Sequence, residues 1–324
     1  MNLNKFFSFI YVKLFKFLPT LLNVKLAKFF KKLYDLNTQS SYGKDFLAHL
    51  EIENSKFKLW LMKDDYQAQS VYLPLHKKKI IYETAMIKAL ISAINKLNLK
   101  TFLDLGSFMG YYACFISKHF NENINVFAIE SNSDYVKYIN KSISENNFKN
   151  ISVLNKILSD KSEELFIYKE GVYKSKKNLK NYTLDKSITL DEICEDQKIN
   201  PEIIKIDVHG AEHKVLLGSA TILNKKVKII LLELHTNQYI EKFSDGSNRK
   251  NVIEFLISNS FNCFLVSEFR TLDKKKNKFI NEKLNIIEIT KNNYDEIFFD
   301  RDYLDQFIFA CKKDIDIKSF DCFK

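Results

Sequence analysis

Residues Thr101-Phe-Leu-Asp-Leu-Gly-Ser-Phe-Met-Gly110 place an apolar strand ending in Asp104 directly before a Gly106-x-x-x-Gly110 loop. A second apolar strand, Asn125-Val-Phe-Ala-Ile-Glu130, ends in an acid 20 residues beyond Gly110, with a helical segment between the two. Strand, glycine loop, helix and second strand make half of a doubly wound α/β unit, in which ligands lie outside the carboxyl ends of parallel strands. The glycines let the chain turn tightly and let its backbone approach a ligand.

The same rhythm extends along the chain. Alternation over Asp45 to Lys63 predicts a β-hairpin, and Glu83 to Lys96 reads as a helix. Around the glycine loop, helices are expected at Tyr111 to His119 and Ser133 to Asn146, with a strand from Ile151 to Leu158. The rhythm then lapses into a short strand (Glu164 to Lys169), a lysine-rich loop (Val172 to Lys180) and a short helix (Thr189 to Cys194). It resumes with the strand Ile203 to Asp207, a helix from Ala211 to Leu223, the strand Val227 to Leu234 and a helix from Asn248 to Ser258. Further strands are expected at Asn262 to Val266, at Leu284 to Ile289, and within Glu296 to Phe299 or Phe307 to Cys311. Terminal strands without intervening helices add an antiparallel edge to a mostly parallel sheet. With only three prolines in 324 residues there is little room for extended linkers.

The net charge of +10 is concentrated at one end. Met1 to Tyr34 carries seven lysines and no acid, which leaves +3 for the rest. Leu3, Phe6, Phe7, Ile10, Leu14 and Phe17 share one helical face, and after Pro19 a second stripe runs through Leu22, Leu26, Phe29 and Leu33. Lysines interrupt every apolar run well short of the roughly 18 residues that span a bilayer, and they break any signal-peptide core. The pattern fits two readings equally: a basic amphipathic arm lying on an anionic membrane, or a helical pair packed on the main domain. The expected organisation is an arm over 1–40, strands and a helix packing on the core over 41–98, the main domain over 99–313 and a tail over 314–324. Five scattered cysteines, with no CxxC pair, exclude a disulfide framework or a structural zinc site. Their odd number and the lack of a cleavable signal point to the cytoplasm, with Cys322 read as a solvent-exposed tail residue.

The ligand of the glycine loop is an adenosine cofactor. A carboxylate at Glu130 accepts hydrogen bonds from both ribose hydroxyls, a diol shared by NAD and S-adenosylmethionine. The loop lacks the middle glycine that admits a pyrophosphate, and Asp104 repels a diphosphate while suiting the ammonium end of a methionine moiety. S-adenosyl-L-methionine is therefore the expected cofactor, bound by Asp104, Gly106, Ser107, Gly110 and Glu130, with Asp207 bordering it. Ser159 and Asp160 close the third strand within reach of an adenine amino group, although Asp160 reads more readily as the cap of a turn with Lys161 and Ser162.

Asp207 ends the fourth main strand and is followed by Val208-His-Gly-Ala-Glu212, while Glu233-Leu-His235 ends the fifth. Residues two apart in a strand share a face, so Asp207 is expected to pair with His209 and Glu233 with His235. Methyl transfer to a hydroxyl needs a base, and an imidazole oriented by a carboxylate meets that need; His235 is placed ahead of His209. Glu212 reads as a first-turn acid that complements its helix dipole. The same quartet suits a divalent metal, a reading placed second.

These residues resemble the FkbM-type family of class I S-adenosylmethionine-dependent methyltransferases. Ile204-Lys-Ile-Asp-Val-His-Gly-Ala-Glu212 is similar to the family's Ile-Lys-Ile-Asp-Val-Glu-Gly-Ala-Glu, with His209 where Glu is commoner. Asp104-Leu-Gly-Ser-Phe-Met-Gly110-Tyr-Tyr is similar to Asp-x-Gly-Ala-x-x-Gly-Tyr-Tyr, with Ser107 for Ala. Thr189-Leu-Asp191 and Leu232-Glu-Leu-His235 also match, and the resemblance runs from about Tyr82 to His235. It implies a Rossmann-like, seven-stranded mixed sheet and O-methylation of a hydroxyl, often on a sugar of a glycan or natural product. Two rivals are weighed. A nucleic-acid methyltransferase is disfavoured, because +3 outside the arm is a weak electrostatic footprint despite Lys174 to Lys180 and Lys274 to Lys278. The other is an idle, membrane-docked binding domain that keeps the fold without the chemistry.

Overall fold

The computed structural model describes residues 45–63, 65, 68, 72, 76, 81–168, 171–173, 183–266, 283–299 and 304–324. The basic arm and the two lysine clusters lie outside them. Among the described residues no helix is long and apolar enough to cross a membrane.

The chain opens with the hairpin β1 (Phe46–Ile52) and β2 (Ser55–Leu61), then α1 (Thr84–Leu97). Next come β3 (Thr101–Leu105), α2 (Tyr111–His119), β4 (Asn125–Glu130), α3 (Ser133–Asn146) and β5 (Ile151–Asn155). A departure follows, through β6 (Ile157–Leu158), β7 (Glu164–Tyr168), β8 (Gly171–Tyr173), β9 (Thr183–Ile188) and α4 (Leu190–Asp196). The main sheet resumes with β10 (Ile203–Ile206), α5 (Glu212–Leu217), α6 (Ala220–Lys225), β11 (Ile229–Leu234), α7 (Asn237–Phe243), α8 (Arg249–Ser258) and β12 (Phe261–Val266). Then follow β13 (Ile286–Ile289), α9 (Tyr294–Phe299) and β14 (Gln306–Lys312).

Among the described residues the main sheet has eight strands in the order β13-β12-β14-β11-β10-β3-β4-β5. Strands β5, β4, β3, β10 and β11 run parallel, and β14 lies antiparallel between β11 and β12. The expected antiparallel edge is present as β13, which pairs antiparallel with β12 and makes the eighth strand where seven were expected. The sheet is buried on both faces, as its continuous apolar runs require. Period-2 alternation divides its residues between two cores. Phe102, Ile203, Ile229 and Leu231 pack with the hairpin and α1 to α3, whereas Leu103, Ile204, Ile230 and Leu232 pack beneath α4 to α8. The hairpin is fastened to α3: the Trp60 N–H donates to Ser142 Oγ (2.9 Å), the Lys58 N–H donates to Asn146 Oδ1 (2.8 Å), and Lys58 pairs with Glu145 (2.7 Å).

Several expectations change in detail. The strand foreseen over Ile151 to Leu158 divides, because the Asn155 amide and the Lys156 N–H bond to the Glu130 carbonyl and end the ladder. Ile157 and Leu158 turn away to pair with β9 in a second sheet of order β6-β9-β7-β8. The helix foreseen over Ala211 to Leu223 is interrupted at Gly218-Ser219. There the backbone lies against Ser159, so that a Cβ on Gly218 would sit 2.1 Å from the Ser159 carbonyl oxygen. The Asp191 carboxylate then caps the new helix, α6, by accepting from the N–H groups of Thr221 (2.8 Å) and Ile222 (2.9 Å). Thr189 caps α4 in a reciprocal box with Glu192. The Thr189-Leu-Asp191 signature thus joins α4 to α6 and is a structural device. Gly171 to Tyr173 pairs with β7 as β8, where Val172 and Tyr173 were expected in a loop. Of the two segments offered for the last strand, Phe307 to Cys311 lies in β14 and Glu296 to Phe299 in α9. Strand β9 and helix α7 were not foreseen. Cys322 is buried, not exposed, because Phe320 and Phe323 pack against Phe309 and draw the tail onto the core.

Candidate active site at the strand tips

The tips of β3, β10 and β11 carry the charges the alternation predicts for one face. Lys205 lies in register with Asp104 on one side and Leu231 on the other. Its side chain is only 3% exposed, and its ammonium stands 3.5 Å from Asp104 and 3.3 Å from Asp207. It also lies over the Tyr112 ring, 5.0 Å from the centroid. Burial alone would depress the Lys205 pKa, but Asp207 and Asp104 outweigh burial and raise it. In return, Lys205, His209 and His235 hold the Asp207 carboxyl below the usual carboxylate range against the opposing effect of burial.

Asp104 is fully buried, and its second oxygen accepts a hydrogen bond from Ser107 Oγ at 2.7 Å. Its other oxygen, Oδ1, faces the Lys205 ammonium at 3.5 Å and accepts no hydrogen bond. Gly106 and Ser107 donate their N–H groups to the Ile129 carbonyl (3.0 and 3.2 Å), which folds the loop onto the end of β4. Gly106 has φ 74°, and a Cβ there would fall 1.8 Å from the Asp207 carbonyl oxygen, so only glycine fits. Gly110, with φ 82°, opens α2. Glu130 is buried and accepts from the N–H groups of Phe108 and Asn132, both at 2.8 Å. Burial pushes its pKa up to about 7 despite those hydrogen bonds.

The expected pairing of Glu233 with His235 is present but long, and Glu212 is the nearer partner. His235 Nδ1 is 2.7 Å from Glu212 Oε1, while Glu233 Oε1 and Asp207 Oδ1 each stand 3.9 Å from Nε2. Glu212 is fully buried and also accepts the Gly210 N–H (2.9 Å), so it is more than a helix-dipole acid. Its position three residues after His209 was visible in the sequence, but nothing there showed which way the α5 N-terminus faces. Burial would lower the His235 pKa, yet Glu212, followed by Asp207 and Glu233, raises it to about 10. His209 is exposed, with φ 50°, and its ring meets that of His235 edge-on at 5.1 Å. Arg249 is buried and donates to the carbonyls of His235 (2.7 Å) and Leu304, tying α8 to the tip of β11. No sequence signal beyond its place after the Asn248 cap singled out Arg249. Lys205 was legible as a lone cation in an apolar strand.

Ser159 and Asp160 stand elsewhere than expected, past β6 in the second sheet. Ser159 Oγ donates to Asp160 at 3.0 Å, and the Ser159 N–H pairs with Ile188 of β9. Among the described residues Asp207, His209 and His235 bring one ligand atom each within 4.8 Å of one another, as do Glu233, His235 and Asp305.

A glycine loop closed on parallel strand tips, with a reversed strand inserted beside β11, defines a class I methyltransferase-like fold. Residues 108–263, just under half of the chain, match the family model described as the Methyltransferase FkbM domain, and this stretch resembles that family. Among solved structures it is similar to methyltransferase FkbM from Methylobacillus flagellatus KT at 14% identity, covering 77% of this chain and 56% of that one, with a TM-score of 0.42. It is also similar to precorrin-6y C5,15-methyltransferase from Geobacter metallireducens GS-15 at 13% identity, covering 69% and 87%, with a TM-score of 0.35. A putative O-methyltransferase from Klebsiella pneumoniae shares 9% identity over 70% of this chain and 79% of that one, with a TM-score of 0.37. None of the curated proteins matches.

Proposed function

We propose that this chain is an S-adenosylmethionine-dependent O-methyltransferase acting on a hydroxyl of a sugar, glycan or glycolipid precursor. The observation that carries this reading is the contact between Gly106 and the Asp207 peptide, which seats the cofactor loop against the imidazole and carboxylate cluster. In this reading the loop from Gly106 to Gly110 receives the methionine portion and Glu130 accepts the ribose hydroxyls, Oε2 keeping a second lone pair and Oε1 exchanging its long 3.4 Å bond from Ser131 Oγ for one of them. Asp104, Asp207, Glu212 and Glu233 outnumber the cations Lys205 and His235, so a positively charged sulfonium is stabilised at the tips. Asp104 acts through Lys205 and Ser107.

Glu130 gives the first test. A carboxylate accepts two hydroxyl donors, whereas its protonated form loses part of that capacity, so the cofactor binds the deprotonated state more tightly. With the free-state pKa near 7, affinity for S-adenosylhomocysteine is expected to fall as pH drops below about 7, and binding there releases a proton from Glu130 to solvent. Calorimetry across pH 5.5 to 8 should show this trend in the intact chain and a flat, weaker profile in Glu130→Gln. A folded chain that binds no S-adenosylhomocysteine at any pH would return the reading to an idle domain.

The hydroxyl's proton is lost where His235, His209, Asp207 and Glu233 converge. His235 enters the site protonated, and an arriving cation opposes that proton and lowers the pKa toward the working range. Replacing His235 with Gln is expected to lower kcat by about 100-fold or more, the usual contribution of a positioned acid or base, with little change in cofactor affinity. Transfer of labelled methyl groups to glycan hydroxyls measures the first, calorimetry the second. Full activity in this variant would remove His235 from the chemistry.

A further inference from the structure

We propose that Asp207, His209 and His235 form an open-sided site for a first-row divalent cation. The proposal rests on the methyltransferase reading for its chemistry and on the following geometry for its existence. The three ligand atoms already lie within 4.8 Å of one another, and His235 Nε2 faces Asp207 Oδ1 at 3.9 Å. Closing such a set to bonding distance takes small side-chain rotations, most readily at the exposed His209.

The atoms of His235 and Asp207 that point away from the site are already held. Glu212 can only accept at its ionised carboxylate, so its 2.7 Å bond places a proton on His235 Nδ1 and aims Nε2 at the cluster, where an entering ion would displace the Nε2 proton to solvent. Carboxylate to imidazole contacts of this kind orient metal-binding histidines and raise their basicity. Asp207 is arranged in the same way. Oδ2 accepts from Lys205 at 3.3 Å, while Oδ1 is buried and accepts no hydrogen bond. A buried oxygen left without a donor is costly unless a cation meets it. Two imidazoles and one carboxylate on one side of an ion suit several first-row metals and leave coordination positions free. His209 supplies the exposed flank, through which an acceptor hydroxyl can enter.

With His235 bound to it, the ion would take over the imidazole's part in removing the hydroxyl proton and act as a Lewis acid on the acceptor. A hydroxyl bound at a free position gives up its proton to solvent more readily, and its oxygen forms the new O–CH3 bond as the S–CH3 bond breaks and the sulfonium becomes a thioether. A second set, Glu233, His235 and Asp305, shares His235, so the two cannot both be filled by that imidazole.

The test uses the full chain stripped by chelator and then titrated with Co2+, followed by calorimetry and visible absorption. A single Co2+ is expected, bound about 10-fold or more weakly in His209→Ala and little changed in Glu233→Gln. S-adenosylhomocysteine binding, measured on the same samples, should stay intact in both variants, which also reports that they are folded. Co2+ that fails to bind, or binds equally well in His209→Ala, overturns the site. Loss confined to Glu233→Gln assigns the metal to the second set and overturns it as well. If the intact chain binds Co2+ but no S-adenosylhomocysteine, the functional reading fails while the metal site stands.

Discussion

Replacing Lys205 with methionine is expected to destabilise the folded chain by about 3–5 kcal/mol, the usual cost of leaving a buried charge without its partner. Methionine fills a similar volume, so the loss is electrostatic. Asp104 has no exposed surface, and Lys205 is its cationic neighbour at 3.5 Å, as it is for Asp207 at 3.3 Å. Part of the loss should return in Lys205→Met combined with Asp104→Asn, because the double variant removes one of the two stranded carboxylates. Urea denaturation of the three proteins measures both effects. A single-variant change below about 1 kcal/mol would mean that water reaches these carboxylates and the pair is no more than a surface ion pair.

Gly106→Ala should be nearly as severe and should also abolish S-adenosylhomocysteine binding. Two costs combine there. A residue with a side chain is strained at φ 74°, by about 1–3 kcal/mol. The methyl group would also sit 1.8 Å from the Asp207 carbonyl oxygen, and relieving that clash means pushing β10 away from β3, at roughly another 1–3 kcal/mol. The displaced atoms belong to Asp207 itself, so the damage reaches the cofactor loop and the imidazole cluster together. Thermal unfolding and calorimetry on the same sample separate stability from binding. An alanine variant of unchanged stability and affinity would show that the loop is looser than its contacts require.

The difference between these residues and the rest of the site explains what was readable in advance. Asp104, Gly106, Gly110 and Glu130 announce themselves because their chemistry is local: an acid at a strand end, and glycines where the backbone must turn. The helices Tyr111–His119 and Ser133–Asn146 were legible to the residue, the first from the Gly110 turn that opens it and the second from its Asn132 cap and the Asn147 stop. The break between β5 and β6 was not, because nothing in Ile151 to Leu158 disfavours one continuous strand. Bonds from Asn155 and Lys156 to a carbonyl of β4 end it. Gly218 marks the division of α5 from α6, but the division itself needs the Ser159 carbonyl in the way.

The amino-acid sequence by itself determined the alternation of strands and helices through the parallel part of the main sheet, the glycine loop with its two acids, and the gathering of His209 and His235 at strand ends. These depend on side-chain period and on backbone freedom, both written in short stretches of chain. Tertiary structure decided the partners. His235 meets Glu212 across 23 residues because β11 lies beside β10 and α5 starts over both, and Asp104 is spent on Lys205 because two strands more than a hundred positions apart are neighbours in the sheet. Electrostatic pairing falls off over a few ångströms, so it follows distance in space and not spacing along the chain.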